Sequence, residues 1–302
     1  MSAVTTTPKP LADDQSGMRP RQRWALAFML LPICFVLTVF FVLPFLFEVI
    51  FSLQEFDPNR GYLPGVTARN YVKFFSDDYY LTIWWRTVWI SIVVTVLSVA
   101  MAYPVALVLA RARGWVKTIL LLMTISPLFV PGVVRAYGWM VVLGPVGPVV
   151  KFLMWTGFFA ERPRIIYTEL AVLIGMVEVM LPFAILPLSA VLGRIDETLF
   201  HQAQSLGASP FQTFLKVTLP LSLTGLAAGS ILVFISSMGA FVMPSLLGGA
   251  RIKTLAYEAY AVMSTMSDWG MSSTLGVVLL LTTLGGIALN LRLLRSRVPR
   301  AG

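Results

Sequence analysis

The chain of 302 residues is 57% hydrophobic and only 12% charged, about half the charged fraction of an ordinary soluble domain. A soluble enzyme would lack the polar residues needed to cover its surface, and intrinsic disorder is incompatible with such high hydrophobicity. The composition therefore predicts an integral membrane protein. One cysteine excludes an internal disulfide, and one histidine excludes a metal site built from paired histidines.

Six apolar segments are long enough to cross a bilayer as helices, a crossing that takes about 20 residues. The segments are continuously apolar rather than alternating, which favours helices over barrel strands. The predicted spans are 24–51, 89–110, 119–143, 170–192, 221–247 and 271–291. The predicted fold class is an all-α integral membrane protein with six transmembrane helices.

The positions of the basic residues predict how these spans are oriented. With the N-terminus inside, the inner segments carry 13 Lys and Arg residues against four acidic residues, and the outer segments carry nine against eight. The positive-inside rule then places both termini in the cytoplasm. Topology thereby accounts for the net charge of +9, so nucleic acid is not expected as a partner.

The spans divide the chain into segments of different character. The N-terminal segment is rich in Thr, Pro and Asp, which predicts disorder. The first outer loop is rich in aromatic residues, which suit either the membrane interface or a docking surface. The predicted segments are 1–20 (disordered cytoplasmic tail), 21–53 (first transmembrane helix), 54–85 (extracytoplasmic loop), 86–292 (core transmembrane domain) and 293–302 (cytoplasmic tail).

The long inner loop at 194–220, called the elbow below, is predicted to form two short helices joined at a glycine. Asp196 and Glu197 place negative charge at the start of the first helix, which favours the helix dipole. Gly207 suits a left-handed helix end, and Ser209 suits the cap of a second helix.

The second helix of the elbow is predicted to expose Phe211, Phe214 and Leu215 on one side. Exposed apolar side chains on a short helix need a partner. The pattern predicts a binding surface for another subunit or, as the alternative, an amphipathic element on the lipid surface.

The elbow also carries a spaced motif, which reads HQAQSLG, nine residues, then VTLP. It resembles the EAA loop of ABC importer permeases, which reads Glu-Ala-Ala, three residues, Gly, nine residues, then Ile-x-Leu-Pro. The identical residues are Ala203, Gly207, Leu219 and Pro220. The resemblance implies that the elbow couples to a cytoplasmic ATPase. His201 stands where the family has Glu, and Glu197, one turn upstream, is the predicted substitute in an ionic contact.

Other motifs resemble the spermidine/putrescine branch of these permeases. They include Asn70-Tyr71, Arg86-Thr87, Tyr103-Pro104, Arg135-x-Tyr137, Leu181-Pro182-Phe183 and Gly239-Ala240-Phe241. The resemblance implies a type I (MetI-like) permease fold in the bacterial inner membrane. It implies import of a polyamine or, as the alternative, of another small solute such as an amino-acid derivative, opine, phosphonate or thiamine-like compound.

The sequence lacks the residues needed to bind or hydrolyse ATP. It contains no Gly-Lys-Ser/Thr phosphate-binding loop and no Ser-His pairing for hydrolysis, so no enzymatic activity or cofactor is expected in this chain. The resemblance implies that partner ATPase subunits bind ATP-Mg. It also implies a second permease subunit, a different chain in polyamine-type systems, and an extracytoplasmic solute-binding protein. Membrane lipid is the remaining expected partner.

Two ionisable residues lie deep in the predicted spans, where a charge costs about 2.5–3.5 kcal/mol. Arg135 and Glu178 each lie eight residues from the outer end of a span, which places both about 12 Å deep. They are predicted either to neutralise each other or to leave Glu178 facing the path of a cationic substrate. In the second case Tyr137 and Trp139 would offer cation–π surfaces.

Overall fold

The computed structural model of the chain describes residues 20–57, 61–157, 159 and 161–295. Helices dominate this part of the chain, and five of them are long and apolar enough to cross a membrane, or six if one bent pair counts as a single span. The all-α membrane class is thereby confirmed. Most of the predicted tails at 1–20 and 293–302 lies outside the described residues, although residues 20 and 293–295 are helical.

The elements are numbered in chain order. The helices are α1 (Pro20–Leu37), α2 (Leu43–Ser52), α3 (Arg69–Ser76), α4 (Asp78–Arg111), α5 (Gly114–Ile125), α6 (Gly132–Leu143), α7 (Pro148–Trp155), α8 (Glu169–Leu192), α9 (Glu197–Ser205), α10 (Pro210–Thr213), α11 (Leu219–Leu221), α12 (Leu223–Met238), α13 (Leu255–Met266) and α14 (Trp269–Arg295). Within the described residues, π-helical turns lie at Thr38–Val42, Phe214–Thr218 and Pro244–Gly248, and a 3₁₀ turn lies at Ser126–Phe129. Strands β1 (Phe56–Asp57) and β2 (Gly61–Tyr62) pair antiparallel, with Phe56 opposite Tyr62.

The chain divides into two compact units, Met1–Glu48 and Val49–Gly302. In the first unit, α1 continues through a π-helical turn into the start of α2. The first candidate span, Met29–Ser52, falls within the predicted transmembrane helix at 21–53.

Helices α4, α8 and α12 form the main apolar core of the second unit. Glycines on α12 allow its close approach to α8. A methyl group added at Gly225 would lie 2.9 Å from the Cβ of Val191, and one added at Gly229 would lie 3.2 Å from the carbonyl oxygen of Ala184. Small residues at such positions let two helix backbones approach each other in the membrane.

A second apolar cluster joins α3 and the start of α4 to α13 and α14. Its buried residues include Phe74, Ile83, Leu255, Met271 and Leu275. Hydrogen bonds tie the end of α2 to the same cluster: Asn70 Nδ2 donates to the carbonyl oxygens of Ser52 and Gln54 at 3.2 and 2.8 Å. The Thr274 hydroxyl donates to the Ser52 carbonyl at 3.1 Å, so α3 and α14 are held at the same point.

The prediction of one continuous helix at 119–143 is wrong. Helix α5 ends at Ile125, and α6 begins at Gly132. Between them Val130 is extended, with φ −87° and ψ 123°, a conformation favoured because the ring of the following proline disfavours the helical region. Pro131 then caps α6. The structure gives Gly132–Trp155 as the candidate span and Gly114–Phe129 as a shorter apolar helix.

The predicted helix at 221–247 is also interrupted. Helix α12 ends at Met238, with Gly239 as its C-cap, and a π-helical turn follows at Pro244–Gly248. At its start, α12 is bent by 66° from the preceding helical stretch Pro210–Leu221. Apolar composition continues across both breaks, so hydropathy alone could not detect them.

Among the other spans, α8 and α14 begin close to the predicted positions, whereas α4 begins earlier than predicted. Helices α8 and α14 begin within two residues of the predicted spans at 170–192 and 271–291. Helix α4 instead begins at Asp78, so residues 78–85, predicted as part of a loop, are helical. The Asp77 carboxylate caps this helix by accepting a hydrogen bond from the Tyr79 amide at 2.9 Å. The first turns of α4 mix polar and aromatic residues, so their mean hydropathy is too low to mark them as part of a span.

Candidate functional site

The first helix of the elbow begins as the sequence predicts. The Asp196 carboxylate accepts a hydrogen bond from the Thr198 amide at 2.9 Å and caps α9. This backbone hydrogen bond is the largest cause of an Asp196 pKa below its ordinary value, so the cap is ionised at neutral pH. Glu197 occupies the first turn of α9, where negative charge suits the helix dipole.

The turn between the two elbow helices is a Schellman motif closed at Gly207. The Ala208 amide donates to the Ala203 carbonyl at 3.1 Å, and the Gly207 amide donates to the Gln204 carbonyl at 2.9 Å. Gly207 has φ +85°, in the left-handed region that favours glycine. No atom of the described residues lies within 4 Å of a Cβ added there, so the backbone conformation alone requires glycine.

The second elbow helix begins with a capping box. The Gln212 amide donates to the Ser209 hydroxyl at 3.2 Å, and the Ser209 amide donates to the Gln212 side-chain oxygen at 3.1 Å. The predicted cap at Ser209 is confirmed. Helical structure then continues past Leu219 and Pro220 to Leu221, so the bend lies after Pro220 rather than before it.

The outer surface of the elbow differs in part from the prediction. Phe211 is 69% exposed and Leu215 is 44% exposed, as expected. Phe214 is half-buried, and its ring meets that of Tyr103 nearly at right angles, with 5.3 Å between centroids. Phe214 lies three residues after Phe211, at the start of the π-helical turn, and its ring points towards α4. Leu206, which the sequence did not single out, is 89% exposed.

The elbow rests against the end of α4. The guanidinium of Arg111 lies over the Phe200 ring, 4.7 Å from its centroid. Glu197 forms an exposed ion pair with Arg113, with 3.8 Å between Glu197 Oε2 and Arg113 Nη2. A cavity of about 460 Å³ lies between the elbow and α4, and His201 lines it together with Arg111 and Glu197. Glu197 was expected to replace the Glu of the family motif in an ionic contact with the ATPase. In the structure it pairs with Arg113 of this chain instead.

Arg135 and Glu178, the second candidate site, form an ion pair between α6 and α8. The distance from Arg135 Nη1 to Glu178 Oε1 is 3.4 Å, so the predicted pairing is present. Tyr137 is 56% exposed, whereas Trp139 packs against the main core. Residues two positions apart on a helix point to nearly opposite sides. Of these two residues, Tyr137 is therefore the one with an open aromatic face.

Comparison with known proteins identifies the family. Residues 102–297, which include the elbow and the ion pair, match the family described as "Binding-protein-dependent transport system inner membrane component". The chain belongs to this family. The predicted assignment to the ABC importer permeases is thereby confirmed, and the permease is a multi-pass protein of the bacterial inner membrane.

The permease is similar in sequence to permeases of several transport systems. It is 32% identical over 255 residues to the spermidine/putrescine transport system permease protein PotB of Haemophilus influenzae, covering 83% of this chain and 89% of that protein. It is 30% identical over 213 residues to PotB of Escherichia coli, covering 70% and 77%. It is 33% identical over 196 residues to the molybdenum transport system permease protein ModB of Mycobacterium bovis, covering 63% and 72%.

The fold of the permease also has solved counterparts. A chain from the crystal structure of a bacterial alginate ABC transporter, in complex with an alginate pentasaccharide-bound periplasmic protein, superposes with a TM-score of 0.73. The match has 16% identity and covers 89% of this chain and 93% of that chain. It shows that the permease has a type I ABC permease fold.

Proposed function

We propose that the permease forms the path by which a polyamine, of the spermidine or putrescine type, enters the cell. The observation that carries the proposal is the similarity to PotB over 83% of the chain. A deep carboxylate at Glu178 is consistent with a cationic cargo. Another small solute is the second candidate, because the similarity to ModB shows that related permeases are named for a different cargo.

The elbow is proposed to be the contact with the ATPase. Leu206 and Phe211 are its most exposed apolar side chains, and the opposite side of the elbow packs on α4 through Phe200 and Phe214. An apolar helix surface fixed on one side and open on the other suits docking into a groove of another subunit. ATP-Mg would be bound and hydrolysed by that subunit, and the permease itself would supply no catalytic group.

The proposed topology has six spans with both termini in the cytoplasm, the sixth candidate being the bent pair Pro210–Leu221 and Leu223–Met238, of which Leu223–Met238 would cross the membrane. This orientation places the elbow in the cytoplasm and residues 54–85 outside, where α3 would lie near a solute-binding protein. The positive-inside distribution of Lys and Arg supports it. A second permease subunit, proposed to be a different chain, would complete the path.

Uptake by whole cells tests the cargo. Cells that carry the complete system, and a strain that lacks only this chain, are given labelled spermidine and putrescine. We expect uptake to require the chain and to be reduced by unlabelled polyamine. Equal uptake by the two strains would contradict the polyamine assignment, and competition by other small solutes would then identify the cargo.

A further inference from the structure

The ion pair between Arg135 and Glu178 is incompletely satisfied. One contact of 3.4 Å joins the two side chains, longer than the usual 2.7–2.9 Å of a charge-assisted hydrogen bond. The Nε of Arg135 and the Oε2 of Glu178 are buried and have no hydrogen-bond partner among the described residues. The carboxylate therefore keeps one oxygen that no donor satisfies.

Glu178 is also the more exposed member of the pair. Its side chain is 29% exposed, against 14% for Arg135. Glu178 lies nine residues after the start of α8 at Glu169, a depth of about 13 Å at 1.5 Å per residue. A partly exposed charge at this depth would be costly against lipid, and such residues face the bundle interior or a water-filled cavity.

We propose that Glu178 is the ammonium-binding residue of the transport path, and that Arg135 is a resident counter-ion which the substrate displaces. The inference rests on the proposed function and deepens it, because it names the group recognised as an organic ammonium. The substrate ammonium replaces the single contact from Arg135 and, as the pair separates, also donates to the unsatisfied Oε2. No covalent bond changes in this exchange.

The exchange has a physical advantage over a carboxylate without a partner. Removing one member of a buried ion pair is strongly destabilising because the remaining charge is uncompensated. With Arg135 in place when the path is empty, and an ammonium in place during transport, the Glu178 carboxylate is paired in both states. A neutral solute or an anion cannot replace Arg135 on the carboxylate, so the pair selects for cations.

A variant that neutralises both Glu178 and Arg135 tests substrate recognition without leaving an unpaired charge that would disturb folding. In the complete complex, we compare Glu178→Gln, Arg135→Gln and the double variant Glu178→Gln/Arg135→Gln. Each single variant leaves one charge unpaired, and we expect both to reduce the yield of assembled complex. The double variant retains the size of both side chains without the charges, so we expect it to assemble at wild-type yield.

Transport by the double variant then decides the proposal. We expect its KM for labelled spermidine uptake to rise about tenfold or more, the scale of losing a hydrogen bond between charged groups. A double variant that assembles with the wild-type KM would show that the pair is only structural, and would overturn the proposal. The control is Arg292→Gln, which neutralises an exposed charge near the end of α14, outside residues 54–85, the elbow and the ion pair, and should leave KM unchanged.

Failure of the exchange can be told apart from failure of the polyamine assignment. If the wild-type system takes up a different organic cation, the polyamine assignment fails, and the same variants are measured with that cation. A rise in its KM in the double variant would support the exchange. If the wild-type system carries only neutral or anionic solutes, the exchange itself is overturned.

Discussion

The hydroxyl groups of Tyr103 and Ser222 lie 2.7 Å apart in a hydrogen bond between buried side chains. Ser222 occupies the 66° bend between Pro210–Leu221 and α12, whereas Tyr103 lies on α4. The same tyrosine ring contacts Phe214 of the elbow. A displacement of the elbow must therefore either carry α4 with it or break these contacts.

Replacing Tyr103 with Phe removes this hydrogen bond and keeps the ring contact with Phe214. We expect a loss of about 1 kcal/mol of stability, the usual net value of one hydrogen bond. We also expect more ATP to be hydrolysed per solute transported, because the elbow is held less firmly on α4. Thermal unfolding of the complex and the ratio of ATP hydrolysis to uptake measure both effects. Tyr260→Phe, at an exposed tyrosine, is the control, and equal ratios in the two variants would contradict the role of Tyr103.

The left-handed conformation of Gly207 predicts a graded response to substitution. A β-branched residue at φ +85° is strained, by about 1–2 kcal/mol, so Gly207→Val should distort the Schellman turn and reduce ATP-driven uptake. Gly207→Asn should retain more uptake, because asparagine adopts this conformation more readily. The space around a Cβ atom at position 207 is open, so the size of the new side chain is not expected to cause a clash. Equal loss in both variants would show that the backbone conformation is not the cause.

The capping box at Ser209 predicts a local effect on the second elbow helix. Ser209→Ala removes the acceptor for the Gln212 amide and should cost about 1 kcal/mol. We expect faster hydrogen exchange in peptides that cover residues 210–215, together with weaker binding of the ATPase. Ser205→Ala is the matched control, since its hydroxyl only donates back to the His201 carbonyl within α9. Unchanged exchange in Ser209→Ala would contradict the prediction.

The exposed ring of Phe211 is expected to contribute directly to ATPase binding. An aromatic side chain buried at the centre of an interface typically contributes about 2 kcal/mol or more, which is about 30-fold in Kd. Phe211→Ala should weaken ATPase binding by that order while leaving the permease folded, because Phe211 is 69% exposed. Phe75→Ala, at a ring 63% exposed on α3, should not affect it. Equal ATPase affinity in the two variants would exclude Phe211 from the interface.

The elbow was largely predictable because its signals are local. Asp196, Gly207 and Ser209 each act on the backbone within a few residues, and the structure uses them as a cap, a left-handed turn and a capping box. Phe214 was wrongly placed because its orientation depends on Tyr103, more than a hundred residues away in sequence. Arg111 and Phe200 were missed for the same reason: a cation–π contact between two helices leaves no pattern in either.

The apolar segments were predictable in approximate position but not in continuity. Hydropathy reports whether a segment suits the membrane, and it is insensitive to backbone breaks such as the one at Val130 and Pro131. The pairing of Arg135 with Glu178 was predictable because a charge in a span needs a partner, and α6 and α8 are close neighbours. The 3.4 Å length of the contact and the unpaired Oε2 have no signal in the sequence.

The most direct test of the central claim uses the complete transporter in proteoliposomes, with the ATPase, the second permease and the solute-binding protein. Labelled spermidine is supplied on the side of the binding protein, and its accumulation is measured with ATP and with a non-hydrolysable analogue on the ATPase side. We predict accumulation against a gradient with ATP and none with the analogue. Accumulation of spermidine without ATP hydrolysis, or none in a complex that hydrolyses ATP in response to another solute, would contradict a polyamine importer driven through the elbow.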